Sequence, residues 1–288
     1  MRRRSRFLIA ITVAVAGFAA GMPATSAGPT EAPAYVSLGD SLSTGYQPGE
    51  GETRRGYVDD LWRRFRGQFP TLTRQKFGCS GESSESLISG TGSPCEYAEG
   101  SQLAAAVAFL EANPGQVPFV TINIGSNDVV NACLDFDTGR FDRACVEALL
   151  PDLQSRVAEI VDALQAAAGP DVPIVSMTYY NPFLGFWVIP HGHRLARIAQ
   201  RSWVIFNAAL VDAYVGAGAA VAEVGGTFQV ENFEDSATWF GEEVPRNVAL
   251  ACRWTWFCSD VYFGDPHAND IGYRKVGGTF FHVLEPLV

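Results

Sequence analysis

The chain has 288 residues, 21 Lys and Arg against 31 Asp and Glu, and a formal net charge of −10. An acidic balance of this size argues against nucleic acid or an anionic membrane as a standing partner.

The N-terminus reads as an export signal. Arg2, Arg3, Arg4 and Arg6 precede an apolar run over 7–20, and Thr25-Ser26-Ala27 fits a small-residue cleavage site. The run is short for a membrane span, which needs roughly 20 residues. No cysteine stands just after it, which argues against a lipoprotein. Residues 1–27 are therefore expected to be removed, with an uncleaved anchor as the alternative. The 288 residues less those 27 leave 261, enough for one large domain over 28–288 and little for a second. Removal takes four arginines and no acids, so the charge moves from −10 to −14. The product expected is a secreted protein, monomeric and without stable membrane insertion.

Short apolar runs then alternate with helical patterns. Residues 28–33 read as loose, and 34–38 (Ala-Tyr-Val-Ser-Leu) as a strand. Residues 102–112 carry apolar side chains at helical spacing, and 117–124 (Val-Pro-Phe-Val-Thr-Ile-Asn-Ile) read as a second strand. A helix follows over 151–168, with Pro151 suited to its first turn. Residues 172–178 read as a third strand, 194–215 as a helix, and 219–224 as a weaker strand. The last helix begins after Asn269 and runs through Tyr273 and Val276. Strands of this length separated by helices imply parallel βαβ units with helices on both faces of the sheet. Ligands in such sheets bind beyond the carboxyl ends of the strands, and Ser41 and Asn127 both stand just past such ends.

The chemistry is concentrated in four segments. Gly39-Asp40-Ser41-Leu42 ends the first strand, but alone it also describes an ordinary turn. Gly78-Cys79-Ser80-Gly81-Glu82-Ser83, Gly125-Ser126-Asn127-Asp128 and Asp265-Pro266-His267-Ala268-Asn269 follow in order. Together they can supply a nucleophile, Ser41, a base, His267, and three oxyanion donors: the Ser41 and Gly81 backbone N–H groups and the Asn127 amide. The bland readings are a cap serine, a turn glycine and an Asx turn. Asp40 reads as a cap or loop-holding acid, and Asp128 as a loop holder. Of the four histidines, His282 reads as a packed helical residue, while His191 and His193 flank Gly192 without a companion motif.

This set resembles the GDSL or SGNH hydrolase family, over residues 37 to about 273. Among its members, the Gly-Cys-Ser-Gly-Glu-Ser stretch and the cysteine usage are most similar to secreted actinobacterial esterases and lipases. The resemblance implies a three-layer α/β/α domain with a mostly parallel central sheet, flavodoxin-like, and no cofactor. The family's usual Asp stands three residues before the His. Here that position is Gly264, and Asp265 stands two before. Asp265 as a triad acid competes with a backbone carbonyl near Gly264 in a dyad; Asp265 is preferred, since an orienting group need only fix tautomer and direction. Ala268 replaces the family's usual Pro after the His. The six cysteines fall into three near neighbours, and 15 connectivities are open in principle. The resemblance favours the local pairs Cys79–Cys95, Cys133–Cys145 and Cys252–Cys258. A metal site is disfavoured, because no Cys-x-x-Cys or His at ligand spacing occurs.

The function implied is a serine carboxylester hydrolase, an esterase or lipase acting on a small-molecule or lipid ester. Two aromatic stretches, 179–187 and 254–257, stand either as acyl-pocket lining or as core, and they favour an apolar acyl part if they face the site. A carbohydrate acetylesterase would use the same residues in a more polar site. A non-catalytic surface- or glycan-binding protein would be expected to have lost at least one of the four. No Gly-x-Ser-x-Gly elbow supports an α/β-hydrolase.

Overall fold

A computed structural model describes residues 32–288. The expected signal segment 1–27, its cleavage point and residues 28–31 of the loose stretch lie outside the described residues.

Five strands make the main sheet: β1 (Ala34–Gly39), β2 (Thr73–Lys76), β3 (Val120–Asn123), β4 (Ile174–Met177) and β5 (Ala220–Ala222). Their spatial order is β2-β1-β3-β4-β5, and every pairing is parallel. β1, β3 and β4 are buried at every position. Helices cover both faces, so these strands have no solvent side and are mostly apolar, with the small polar residues Ser37, Thr121 and Ser176 buried among them. Tyr57–Phe65 packs on Asp270–Leu284 in one layer, and Gln102–Ala112, Arg143–Ala168 and His193–Gly216 pack in series in the other. The fold is the three-layer α/β/α arrangement implied above.

Several boundaries differ from the sequence reading. β3 starts at Val120, two residues after Pro118, and β4 starts just after Pro173; proline has no N–H to give a ladder. Arg143–Ala168 starts eight residues before Pro151, which sits inside the helix instead of its first turn. Asp142 supplies the earlier start by accepting from the Ala144 and Cys145 N–H groups. β2 (Thr-Arg-Gln-Lys) has no apolar residue to mark it. It is an edge strand, and its Arg74 and Lys76 reach the fully buried Asp59 carboxylate at 2.8 and 3.3 Å. Burial pushes the Lys76 ammonium pKa down, and Asp59 pulls it back. His282 is helical but exposed.

The aromatic stretch after β4 is core. Tyr179, Tyr180, Phe183, Leu184 and Phe186 are buried. Phe183 contacts the rings of Phe141, Trp203 and Phe257, the last from the second stretch, and Phe186 contacts Phe257, with centroids 4.9–5.7 Å apart. Such contacts add about 0.5–1.5 kcal/mol each beyond area burial. Disulfides join Cys79 to Cys95, Cys133 to Cys145 and Cys252 to Cys258.

Candidate active site

The register of two strands sets the site. β1 and β3 pair up to Gly39 opposite Asn123, so both chains leave the sheet side by side. Gly39 has φ +130°, and a Cβ there would lie 2.2 Å from the Asn123 carbonyl oxygen; only glycine fits so close a crossing. Asp40 then caps the short helix Ser41–Thr44, its Oδ1 accepting the Leu42 N–H at 2.9 Å. The same carboxylate accepts from Asn123 Nδ2 at 2.6 Å, Ser126 Oγ at 3.0 Å and Tyr179 Oη at 2.9 Å. Asp40 is 1% exposed. Burial pushes its carboxyl pKa up, and the bonds from Leu42, Tyr179 and Ser126, with the nearby His267, pull the other way. Asp40 thus holds the turn and does not contact His267.

Ser41 Oγ lies 2.8 Å from His267 Nε2, and His267 Nδ1 lies 2.8 Å from Asp265 Oδ1. The two-residue spacing reaches the ring because Asp265 folds back in an Asx turn. Its Oδ1 also accepts the His267 backbone N–H at 2.9 Å. His267 is anchored by its neighbours: Trp256 N–H donates to its carbonyl at 2.9 Å, and Asn269 N–H donates to Trp254 at 3.0 Å. The Cys252–Cys258 bridge closes the loop that carries both 254 and 256. Tyr180 Oη donates to the Pro266 carbonyl at 3.0 Å.

Gly81 sits in a tight turn. The Glu82 N–H donates to the Cys79 carbonyl at 3.2 Å, and Gly81 has φ +91°, the geometry of a type II turn with glycine at its third position. That turn is tied to both strand exits: Cys79 N–H donates to the Gly39 carbonyl at 3.0 Å, and Asn127 Nδ2 donates to the Glu82 carbonyl at 2.8 Å. Ser41, Gly81 and Asn127 therefore share one edge of the sheet. One Asn127 amide proton is spent on Glu82, leaving the other free to point at a ligand. Asp128 accepts from Ser84 N and Oγ at 2.9 and 2.5 Å, with Arg156 at 3.6 Å, and so holds the loop.

Sequence reasoning missed several supporting residues. Tyr46 lies with its ring 4.4 Å from the His267 ring, and burial followed by the Asp265 charge pushes its phenol pKa up. Gln102 is fully buried and clamps Gly39, with its Oε1 accepting the Gly39 N–H at 2.6 Å and its Nε2 3.0 Å from Glu82 Oε2. Gln102 begins a helix that reads as ordinary core packing, so no motif signals it. His193 stacks on Trp187 at 4.0 Å, and both His191 and His193 are exposed. An open cavity of about 880 Å³ with both charged and apolar walls runs beside the turn, lined by Thr44, Glu52, Trp62, Leu72, Lys76 and Gly78 among others. Among the described residues no cluster of His, Cys, Asp and Glu could hold a metal, and no helix is long and apolar enough to cross a membrane.

A family model described as the GDSL-like Lipase/Acylhydrolase family matches residues 37–275. Among solved structures, an extracellular lipase from Streptomyces rimosus is similar, with TM-score 0.58 and 17% identity, covering 89% of this chain and 100% of that one. The lipase Lip_vut3 from a goat rumen metagenome matches with TM-score 0.55 and 15% identity, covering 87% of this chain and 96% of that one. A phospholipase A1 from Streptomyces albidoflavus matches with TM-score 0.52 and 17% identity, covering 89% and 100%. At these identities the likeness is one of fold alone. No curated protein matches the chain.

Proposed function

We propose that this chain, which belongs to the GDSL-like Lipase/Acylhydrolase family and is an ester hydrolase, works through an acyl-enzyme on Ser41. The observation that carries the reading is the relay from Ser41 Oγ through His267 to Asp265, with both contacts at 2.8 Å. Asp265 accepts a hydrogen bond from the Nδ1–H, which holds that proton on Nδ1 and so leaves Nε2 as the base. His267 Nε2 takes the Ser41 hydroxyl proton as Oγ attacks the ester carbonyl. The oxyanion is stabilised by the Ser41 and Gly81 N–H groups and the Asn127 amide, each worth on the order of 3 kcal/mol by removal. The imidazolium then protonates the leaving alcohol, and water attacks the acyl-enzyme by the reverse path. This relay asks for no cofactor.

An ester with an apolar part is supported by Val261 and Phe263, 77% and 48% exposed in the segment leading into Asp265. Export of the protein fits its three disulfides. A second reading, a carbohydrate acetylesterase, is favoured by one observation: the aromatic stretch after β4 is buried and so does not line an acyl pocket. The test is hydrolysis of p-nitrophenyl esters from acetyl to palmitoyl by wild type and Ser41→Ala. Activity should vanish in Ser41→Ala, and the chain-length optimum divides the two readings. Equal activity in both proteins would overturn the role of Ser41.

A further inference from the structure

The loop between Ser41–Thr44 and Tyr57–Phe65 touches the site at two points. Near its start Tyr46 lies on the His267 ring. Near its end Glu52 meets the turn that carries Gly81: Glu52 Oε1 accepts the Ser80 N–H at 3.3 Å and the Ser80 hydroxyl at 2.9 Å. Glu52 is exposed, and among the described residues both of its hydrogen bonds go to Ser80.

The turn is fixed at its two ends. Cys79 is held by its disulfide to Cys95 and by its bond to Gly39. Glu82 is fully buried, its Oε2 accepting from Gln102 and Ser93 at 3.0 and 3.1 Å. The middle peptide, between Ser80 and Gly81, is the part these anchors leave adjustable. Type I and type II turns differ mainly by a flip of that peptide, about 150° in ψ of the second residue. The flip reverses the direction of the Gly81 N–H while leaving the ends of the turn in place. Ser80 is the second residue; its N–H, on the preceding peptide, and its hydroxyl both go to Glu52, which fixes the Cα from which the middle peptide hangs and so where the Gly81 N–H lies. Thr44 Oγ1 stands 3.0 Å from the Ser80 hydroxyl on the nucleophile side.

We propose that Glu52 is a positioning residue for the oxyanion site: it pins Ser80 so that the Gly81 N–H keeps the direction a tetrahedral intermediate needs. It touches no reacting atom and acts through the turn. This rests on the reading of Gly81 as an oxyanion donor and Ser41 as nucleophile. An oxyanion donor works in the transition state more than in the ground state, so the loss should fall on kcat. An exposed side chain is a poor source of global stability, so the fold should not feel it.

The test compares Glu52→Ala and Glu52→Gln with wild type and Ser41→Ala in the full protein, using p-nitrophenyl acetate and butyrate. Glu52→Ala should lose about 10- to 100-fold in kcat, less than the loss of a whole donor. KM should change less than about threefold, and Tm should stay within about 2 °C. Affinity for a butylboronic acid, which forms a tetrahedral adduct on a serine, should fall by a similar factor. Glu52→Gln should recover most of the rate, because an amide oxygen still accepts from Ser80. Full kcat in Glu52→Ala, an equal deficit in Glu52→Gln, or a loss confined to KM would overturn the proposal. If Ser41→Ala keeps its activity, the underlying acyl-enzyme reading fails instead, whatever Glu52 does.

Discussion

Asp265 offers a sharp prediction because a single oxygen does two things. Its Oδ1 accepts the ring Nδ1–H of His267 at 2.8 Å and the backbone N–H of the same residue at 2.9 Å. In Asp265→Asn the backbone N–H, a donor that cannot reverse, selects the amide oxygen for that position. The ring then still meets an acceptor, and the productive tautomer survives. What is lost is the charge opposite the imidazolium. Two unit charges about 4 Å apart interact by about 4 kcal/mol at an effective dielectric near 20. The His267 and Asp265 side chains are 18% and 20% exposed, so solvent screening brings this to about 2 kcal/mol, roughly 30-fold in rate. Asp265→Ala removes charge, acceptor and tautomer control together, and should cost about 10³- to 10⁴-fold. The assay is kcat/KM on p-nitrophenyl butyrate, with circular dichroism to confirm folding. Asn as damaging as Ala would refute the Asx-turn argument, and an Ala variant near wild type would mean that a backbone carbonyl orients the ring.

Gly39→Ala should be among the most destabilising single changes in the molecule. Its Cβ would meet the Asn123 carbonyl at 2.2 Å with φ at +130°, so a loss of about 4 kcal/mol or more is expected in urea unfolding, and a variant of wild-type stability would show that the β1–β3 crossing is looser than described. Asp40→Asn should fold, since the amide oxygen can serve Leu42 and Asn123 while its NH₂ donates to Ser126 and Tyr179 after their hydroxyls rotate. Burial raises the Asp40 pKa in the folded state. Its stabilising contribution is therefore present below the unfolded value, about 3.9, and lost as pH rises through the folded value. Wild type should lose stability relative to Asp40→Asn from about pH 4 upward, and a difference flat with pH in urea unfolding would contradict this.

The sequence made the layers and the motif residues legible where burial or backbone geometry forces residue choice. β1, β3 and β4 are covered on both faces, so their apolar runs stand out. β2 lies at the edge, where solvent and the buried Asp59 select arginine and lysine, and a propensity argument has nothing to grip. The fate of the aromatic stretch was open for a different reason. An apolar loop at a strand end reads the same whether a substrate or Phe257 and Trp203 lie against it. Gln102, Glu52 and Tyr46 were invisible because each acts through tertiary contacts 20 to more than 200 residues away in sequence. Asp265 sits between these cases: its neighbourhood was readable, but its reach depended on an Asx turn that spacing alone does not specify.

Two aspartates flank the nucleophile segment and the base, and their surroundings assign them different work. Asp40 is next to Ser41 in sequence, yet its carboxylate is filled by Leu42, Asn123, Ser126 and Tyr179 and is 1% exposed. An acid so saturated has no lone pair to offer an imidazolium, and moving it would strand four donors at once, each costing about 1–3 kcal/mol if left unsatisfied. Asp265 has one acceptor atom committed to His267 and the rest of its carboxylate near solvent. It can therefore respond to the charge on the ring without disturbing the strand exits. The saturated acid gives rigidity and the partly open one gives electrostatic support, so Asp40 cannot stand in when Asp265 is removed. The loss from Asp265→Ala should accordingly be the same whether residue 40 is Asp or Asn, whereas a larger loss in the Asp40→Asn background would mean that Asp40 supports the imidazole once Asp265 is gone.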